Sequence, residues 1–476
     1  MKRCEVRPSR AWRPYLVGLA LVAVQTGAAG AQEPTHVPRF LRLSDAIGIA
    51  MEGSTQLGIR QAQLDASRTA RLNAIFSLGP DIQVSAFDSR QTRTDLDLLR
   101  SSGGVSDQIR TVNDNFIPVF IDTSFVAADV SEESGFRQVS VQSSVRFFDG
   151  LANYYRIAAA HNDVRANELD LQYAATTVQT SVIEAYYDLL RAKLLLTVAA
   201  EAEAVSREQL ERTQALYELG SAARSDVLKS QVQLGQTRLE LVQARNRERQ
   251  ARNGLIYAMN LKSATPFAID TTVVDIPEEQ IDFGAEVRYA LDHRLDLMAL
   301  REAERGQGKR VVEARGALFP TLDFRYSFAF SDQESQFRFG AAQTRTRSWT
   351  LSSSWGVFDR YLTYSNISQA KANRRIAEYN LKQAELDAIR EIRDFVNQLQ
   401  EARERFVVSS ENVERSEEDL RLAQEKFRVG AGTILDTITA ESDLTATKAA
   451  EVEASVDYLI ARAKLSRATG RPFSEL

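Results

Sequence analysis

Two hydrophobic periodicities divide this chain. In residues 321–330, Leu322, Phe324, Tyr326, Phe328 and Phe330 share one face, while Thr321, Asp323, Arg325 and Ser327 share the other. Residues 348–358 repeat the alternation, with Trp349, Leu351, Trp355 and Val357 against Ser348, Thr350, Ser352 and Ser354. Weaker copies stand earlier: Ile82, Val84 and Ala86, then Val139, Val141, Val145 and Phe147. A period of two predicts strands at about 80–88, 138–148, 320–330 and 348–358. Elsewhere apolar residues recur at alternating steps of four and three: Val178, Val182, Ala185, Leu189, Ala192, Leu196 and Ala199, and again Ala388, Ile392, Phe395, Leu399, Ala402 and Phe406. That is the seam of a coiled coil. The helices carrying it run over about 150–218 and 360–428, which at about 1.5 Å per residue is on the order of 100 Å, far beyond a globular domain.

The order of elements occurs twice. Leu216–Leu234 matches Lys426–Leu444 at a constant spacing of 210, with Gly220 on Gly430 and Asp226 on Asp436. Val145–Asp149 falls on Trp355–Asp359 at the same spacing, whereas Pro80 meets Pro320 at 240, so the first half carries about 30 extra residues between Pro80 and Phe148. The chain is a tandem duplication, 40–260 and 283–470, joined by a polar, proline-containing linker at 261–282. Each half begins with a helix of about 35 residues ending at Phe76 or Phe319. Two strands, the long helix, a tip turn (219–225 or 429–433) and a last helix (225–260 or 433–469) follow.

An ordinary half-buried antiparallel sheet alternates in the same way. Three features favour a membrane instead. The segments are about 10 residues long, enough for a tilted strand to cross a bilayer. Their apolar face is aromatic-rich and the opposite face small and polar, as in a barrel with lipid outside and water within. The helices are too polar to cover that face. Ile82, Val84, Val139, Val141, Val145, Leu322, Phe324, Tyr326, Phe328, Trp349, Leu351 and Trp355 are then lipid-facing. Four strands do not close a barrel, and lipid tolerates no open edge, so spanning strands require a closed oligomer. The polar loops 88–137 and 331–347 would lie beyond the membrane, where an insertion costs little.

Composition narrows the classes. Residues 1–31 read as a secretory signal peptide: a basic start, a short apolar run from Tyr15 to Val24, and the small-residue end Ala29-Gly30-Ala31. Its removal takes away Lys2, Arg3, Arg7, Arg10, Arg13 and Glu5, moving the formal charge from −5 to about −9, which argues against nucleic acid as a partner. The only cysteine, Cys4, leaves with it. His36, His161 and His293 stand far apart, and no metal-ligand spacing, nucleophile elbow or phosphate loop appears. Neither an enzyme nor a cofactor is expected. At the tips, Gly430 suits a helix C-terminus with positive φ. Thr433 with Asp436 fits a capping box, and Ser225 is the expected cap of the first-half helix, with Asp226 near the positive end of its dipole.

Together these features resemble the outer membrane efflux protein family, the TolC-like channels of Gram-negative bacteria. The resemblance runs from about Leu43 to Gly470 and rests on the tandem halves, the LFPTLDF segment, the FFDG and VFDR strand-to-helix junctions, and the turns ELGSAARSDVL and RVGAGTILDTI. It implies a mainly α fold with a membrane β-barrel: a homotrimer in which long coiled-coil helices form an α-barrel and each chain gives four strands to a barrel of twelve. It implies a passive exit duct of a tripartite efflux or type I secretion system, set in outer-membrane lipid and extending into the periplasm. The partners would be a periplasmic adaptor (membrane fusion) protein and an inner-membrane pump of RND or ABC type. By the same resemblance Leu219, Gly220, Ser221, Val429, Gly430 and Ala431 are adaptor-docking tips, and Ser225, Asp226, Thr433 and Asp436 a candidate periplasmic gate. Gly432 and Thr439 replace a basic and an acidic residue of some members, so a closed state held by ion pairs there is not implied. The alternative for such a chain is a non-pore periplasmic coiled-coil scaffold or adaptor, which has no use for strands with an aromatic outer face.

Overall fold

A computed structural model of the chain describes residues 38–94, 131–262, 266–271, 281–335 and 342–471. The expected signal peptide lies outside these residues, as do parts of the polar loops and of the linker. In chain order the elements are β1 (Phe40–Leu41), α1 (Leu43–Gly53), α2 (Thr55–Phe76), β2 (Asp81–Thr94), β3 (Ser131–Phe148), α3 (Ala152–Glu218) and α4 (Arg224–Ala258), then β4 (Ala268–Ile269), α5 (Phe283–His293), α6 (Leu295–Gly316), β5 (Thr321–Ser335), β6 (Ala342–Ser354), α7 (Leu362–Arg428) and α8 (Ile434–Thr469).

The heptad seams become helices of the expected reach. α3 and α7 have 67 residues each, and their seam residues Val178, Val182, Leu189, Ala192, Ala388, Ile392, Leu399 and Ala402 are buried. α3 packs against α2, α4, α6 and α8, and α7 packs against α6 and α8. The main core lies midway along these helices, where Leu41, Ala46, Leu255, Met259, Phe267, Ile269 and Ala290 join Val182, Ile183, Ile392 and Leu465. Linker residues therefore do more than connect. Phe267 and Ile269 are core, and Ala268 and Ile269 pair in parallel with Phe40 and Leu41.

The helix expected before each proline is broken in both halves. α1 ends at Ser54, whose backbone is extended and whose hydroxyl accepts from the Leu57 N–H at 3.4 Å, starting α2. α5 ends at Arg294, which is nearly buried. Its guanidinium donates to Asp296 at 2.9 Å, to Glu391 of α7 at 2.8 Å and to the Ala468 carbonyl of α8 at 3.0 Å. A continuous helix would carry Arg294 away from those partners, and a buried cation without them is costly. α6 also ends earlier than expected, at Gly316 rather than Phe319.

β2, β3, β5 and β6 form one antiparallel sheet in that order. The strands are longer than expected, at 14, 18, 15 and 13 residues. The hydrogen-bond ladder continues past the apolar band into segments whose polar sequence reads as loop. β6 stops at Ser354, so Trp355 and Val357, expected on the strand, lie beyond it. The Trp355 indole instead donates to the Leu318 carbonyl at 3.1 Å, holding the strand-to-helix junction against the end of α6. At the matching junction of the first half the backbone itself comes close. A Cβ on Gly150 would stand 2.3 Å from the Gly316 carbonyl oxygen. The second half carries Arg360 at the equivalent place, also with positive φ.

Candidate functional site

The two tips are built alike. α3 ends at Glu218 with Leu219 as its cap, Gly220 takes φ +75°, and the N–H groups of Gly220 and Ser221 donate to the carbonyls of Tyr217 (2.9 Å) and Leu216 (2.8 Å). α7 ends at Arg428 with Val429 as its cap, Gly430 takes φ +77°, and the N–H groups of Gly430 and Ala431 donate to the carbonyls of Phe427 (3.1 Å) and Lys426 (2.9 Å). Both are Schellman closures, which need a left-handed residue at the position after the cap and favour glycine there. Lys426 and Arg428 lie in the last turn of α7, where cations suit the negative end of the helix dipole.

The next helices start in the same register. Thr433 is the cap of α8: its N–H donates to the Asp436 carboxylate at 2.8 Å, and the Asp436 N–H donates to the Thr433 hydroxyl at 3.3 Å. Those bonds hold the Asp436 carboxyl below the usual carboxylate range. In the first half the cap is Ala223, not Ser225, which falls inside α4. Alanine has no side-chain acceptor, so only half of the box forms, the Ala223 N–H donating to Asp226 at 3.4 Å. Ser225 stands two residues too late to cap because the glycine closure fixes where α4 starts. Both tips present apolar side chains to solvent, Leu219 (78% exposed) and Val429 (66%), joined by Leu435, which the sequence reading did not single out.

The sheet has one apolar face. Register places Val84 opposite Val141, Val141 opposite Phe328, Val145 opposite Phe324, Phe324 opposite Leu351 and Tyr326 opposite Trp349. Ile82, Val139 and Leu322 share that side, so eleven of the twelve expected lipid-facing residues lie on one face, Trp355 excepted. The other face carries Gln83, Ser85, Ser140, Gln142, Asp323, Arg325, Ser327, Ser348 and Thr350, with hydroxyl pairs Ser85–Ser140 and Ser327–Ser348 at 2.7 Å each. Among the described residues, β2 and β6 each have one edge without a partner strand. Among the described residues no helix is long and apolar enough to cross a membrane.

A family model described as "Outer membrane efflux protein" matches residues 46–261 and 287–471. The chain belongs to the outer membrane efflux protein family. It is 23% identical over 347 residues to the outer membrane efflux protein BepC of Brucella suis, covering 70% of this chain and 72% of that protein. It is 24% identical over 317 residues to the outer membrane protein TolC of Vibrio cholerae, covering 64% and 71%. Its fold is similar to that of the outer-membrane channel OprN, with a TM-score of 0.72 and 20% identity over 93% of this chain and 95% of that one. An outer membrane efflux protein acts in the outer membrane of a Gram-negative bacterium, and its helices extend from there into the periplasm.

Above the tips of this efflux protein lies a polar layer that the sequence reading missed. Ser206, Gln209 and Thr213 of α3, Ser230 and Thr237 of α4, and Thr437 and Glu441 of α8 are all buried. Ser206 donates to the Glu441 carboxylate, and Ser230 donates to the Thr213 hydroxyl at 3.4 Å. One turn further from the tip, Glu203 of α3 takes Arg207 (2.6 Å) and Arg238 of α4 (3.2 Å). The signal was present: continuing the α3 seam by steps of four and three from Ala199 reaches Glu203, Ser206 and Thr213. Polar residues at seam positions fix helix register at some cost in stability.

Burial pushes the Glu441 carboxyl above the usual range, partly offset by the Ser206 hydrogen bond. For an acid with a raised folded value, ionisation opposes folding. Stability is full at acid pH and falls as pH rises from the ordinary glutamate range through the raised value. Glu441→Gln keeps the acceptor without the charge. The variant should melt several degrees higher than wild type at neutral pH, with the gap closing toward acid pH in thermal scans. An equal gap at every pH would refute the assignment.

Proposed function

We propose that this efflux protein is the trimeric exit duct of a tripartite efflux or type I secretion system. It passes cargo passively across the periplasm and outer membrane, and performs no catalysis. The observation that carries the reading is the sheet: four antiparallel strands, one face apolar and aromatic, two open edges, joined directly to helices of about 100 Å. An even number of alternating strands lets β6 of one protomer pair antiparallel with β2 of the next, so a ring closes with no edge left in lipid. The helices support the same closure. Leu228, Val232, Leu239 and Val242 form a seam-spaced stripe on α4 that stays exposed in the single chain, as do Val407, Val408 and Leu422 of α7.

In this reading the tips lie at the periplasmic end. Leu219, Gly220, Ser221, Val429, Gly430 and Ala431 dock a periplasmic adaptor, which links the duct to an inner-membrane pump of RND or ABC type. Asp226 and Asp436, repeated three times around the axis, add negative charge at the narrow end and form the gate with Ser225 and Thr433. Capping and gating are compatible roles for the same carboxylates. The test is extraction of the outer membrane with detergent. Heat-resistant trimers that conduct in planar bilayers are expected; a water-soluble monomer would sink the proposal.

A further inference from the structure

The outer end of the apolar sheet face carries arginines. On β6, Arg347 stands opposite Phe328 and Arg345 opposite Phe330, so both share the side of Trp349 and Leu351. Their guanidinium carbons lie 5.8 and 5.9 Å from the ring centroids of Phe328 and Phe330, within cation–π range. Both side chains are exposed. Beside them, on the same side and at similar height, Arg137 is paired with Asp88 at 3.6 Å. No carboxylate lies within ion-pair distance of Arg345 or Arg347 among the described residues. On the far side of the two phenylalanines, Val141 stands opposite Phe328 and Val139 opposite Phe330, an apolar wall.

Cations on a lipid-facing surface need an explanation. Phe328 is seven residues above the start of β5, which at about 3.3 Å per residue and a tilt of about 40° is on the order of 17 Å up the barrel. There the cost of a lipid-facing arginine falls, and a long side chain reaches the headgroups. Snorkelling alone would be served equally by lysine. Two guanidinium planes laid on aromatic rings are instead preoriented for forked pairing with phosphate oxygens. We propose that Arg345 and Arg347, floored by Phe330 and Phe328, bind the phosphate groups of the outer-leaflet glycolipid, with Val139 and Val141 receiving an acyl chain. The site rests on the reading of the sheet as membrane-spanning and occurs once per protomer.

The test uses full-length protein extracted as assembled oligomer, probed with purified lipopolysaccharide before and after enzymatic removal of its phosphates. Thermal stabilisation and native mass spectrometry read the binding. Wild type should bind the phosphorylated glycolipid, and R345Q/R347Q should bind it on the order of 10-fold more weakly. R325Q, which removes one positive charge from the opposite face, should bind as wild type does. Should R345Q/R347Q fail to assemble, R345K/R347K keeps the charge and is expected to bind more weakly than wild type. Equal binding by the variant that assembles, or equal binding of dephosphorylated glycolipid, would overturn the proposal. So would loss of assembly by both variants in lipid-free detergent, which would make the arginines a contact between protomers. Protein absent from the outer membrane would count against the duct itself; inserted oligomers indifferent to the glycolipid would count against this site alone.

Discussion

Replacing Gly430 with valine is expected to abolish export while leaving assembled oligomers in the outer membrane. The reason is the backbone, since nothing lies within 4 Å of a Cβ built on Gly430. At φ +77° a β-branched residue sets its Cβ against its own following carbonyl, costing on the order of 1–2 kcal/mol. Relief requires φ to turn negative. That breaks the bonds from Gly430 to Phe427 and from Ala431 to Lys426, and swings Val429 and Thr433 away from the tip. Val429, Gly430 and Ala431 are exposed, and the buried Ile434 just beyond them lies outside the main core, so the core and the sheet keep their contacts. Gly430→Asn is the control, because asparagine tolerates the left-handed region, and near-normal export is expected from it. Gly220→Val should behave like Gly430→Val. Export of a cargo in cells, beside the amount of oligomer in the membrane, reads both. Normal export from assembled valine variants would remove the docking role from the tips. Asp436→Ala in planar bilayers separates the roles of the carboxylate: a changed conductance supports the gate, and unchanged currents leave a helix cap.

What the sequence made legible, and what it hid, follows one physical line. Repeating constraints could be read: the heptad seam from Val178 to Ala199, the alternation from Leu322 to Phe330, and glycine at two places where only a left-handed turn closes the helix. The misses are places where one side chain, or a partner distant in sequence, decides. The break at Arg294 has no glycine or proline to announce it. It exists because Glu391 and the Ala468 carbonyl, about 100 and 170 residues away, hold the guanidinium. Ser225 looked like a cap on residue type alone, yet the turn length set by Gly220 gives that place to Ala223. Glu203 and Ser206 sit on the seam, but polar residues do not show up in an apolar periodicity. The outer halves of the strands looked like loop because above the apolar band backbone pairing continues without any demand on the side chains.

Trp349→Arg is expected to stop insertion of the barrel, whereas Thr350→Arg, one residue along, is expected to leave it intact. Trp349 lies opposite Tyr326 near the middle of the apolar band and is 74% exposed in the single chain. An arginine facing lipid at mid-depth costs about 2–4 kcal/mol per strand, and a closed ring of identical chains meets that cost in every protomer. Thr350 points to the face of Ser327 and Ser348, where an arginine stays hydrated. There it should alter ion selectivity without affecting assembly. The native Arg347, two residues above Trp349, is consistent with this: it lies nearer the rim and over Phe328, where depth and ring together lower the cost. The measurement is the fraction of heat-resistant oligomer in the outer membrane for each variant. If Trp349→Arg inserts as well as Thr350→Arg, the apolar face does not meet lipid. The period of two along β6 makes the two substitutions a direct comparison, because adjacent residues of one strand share everything except the side they face.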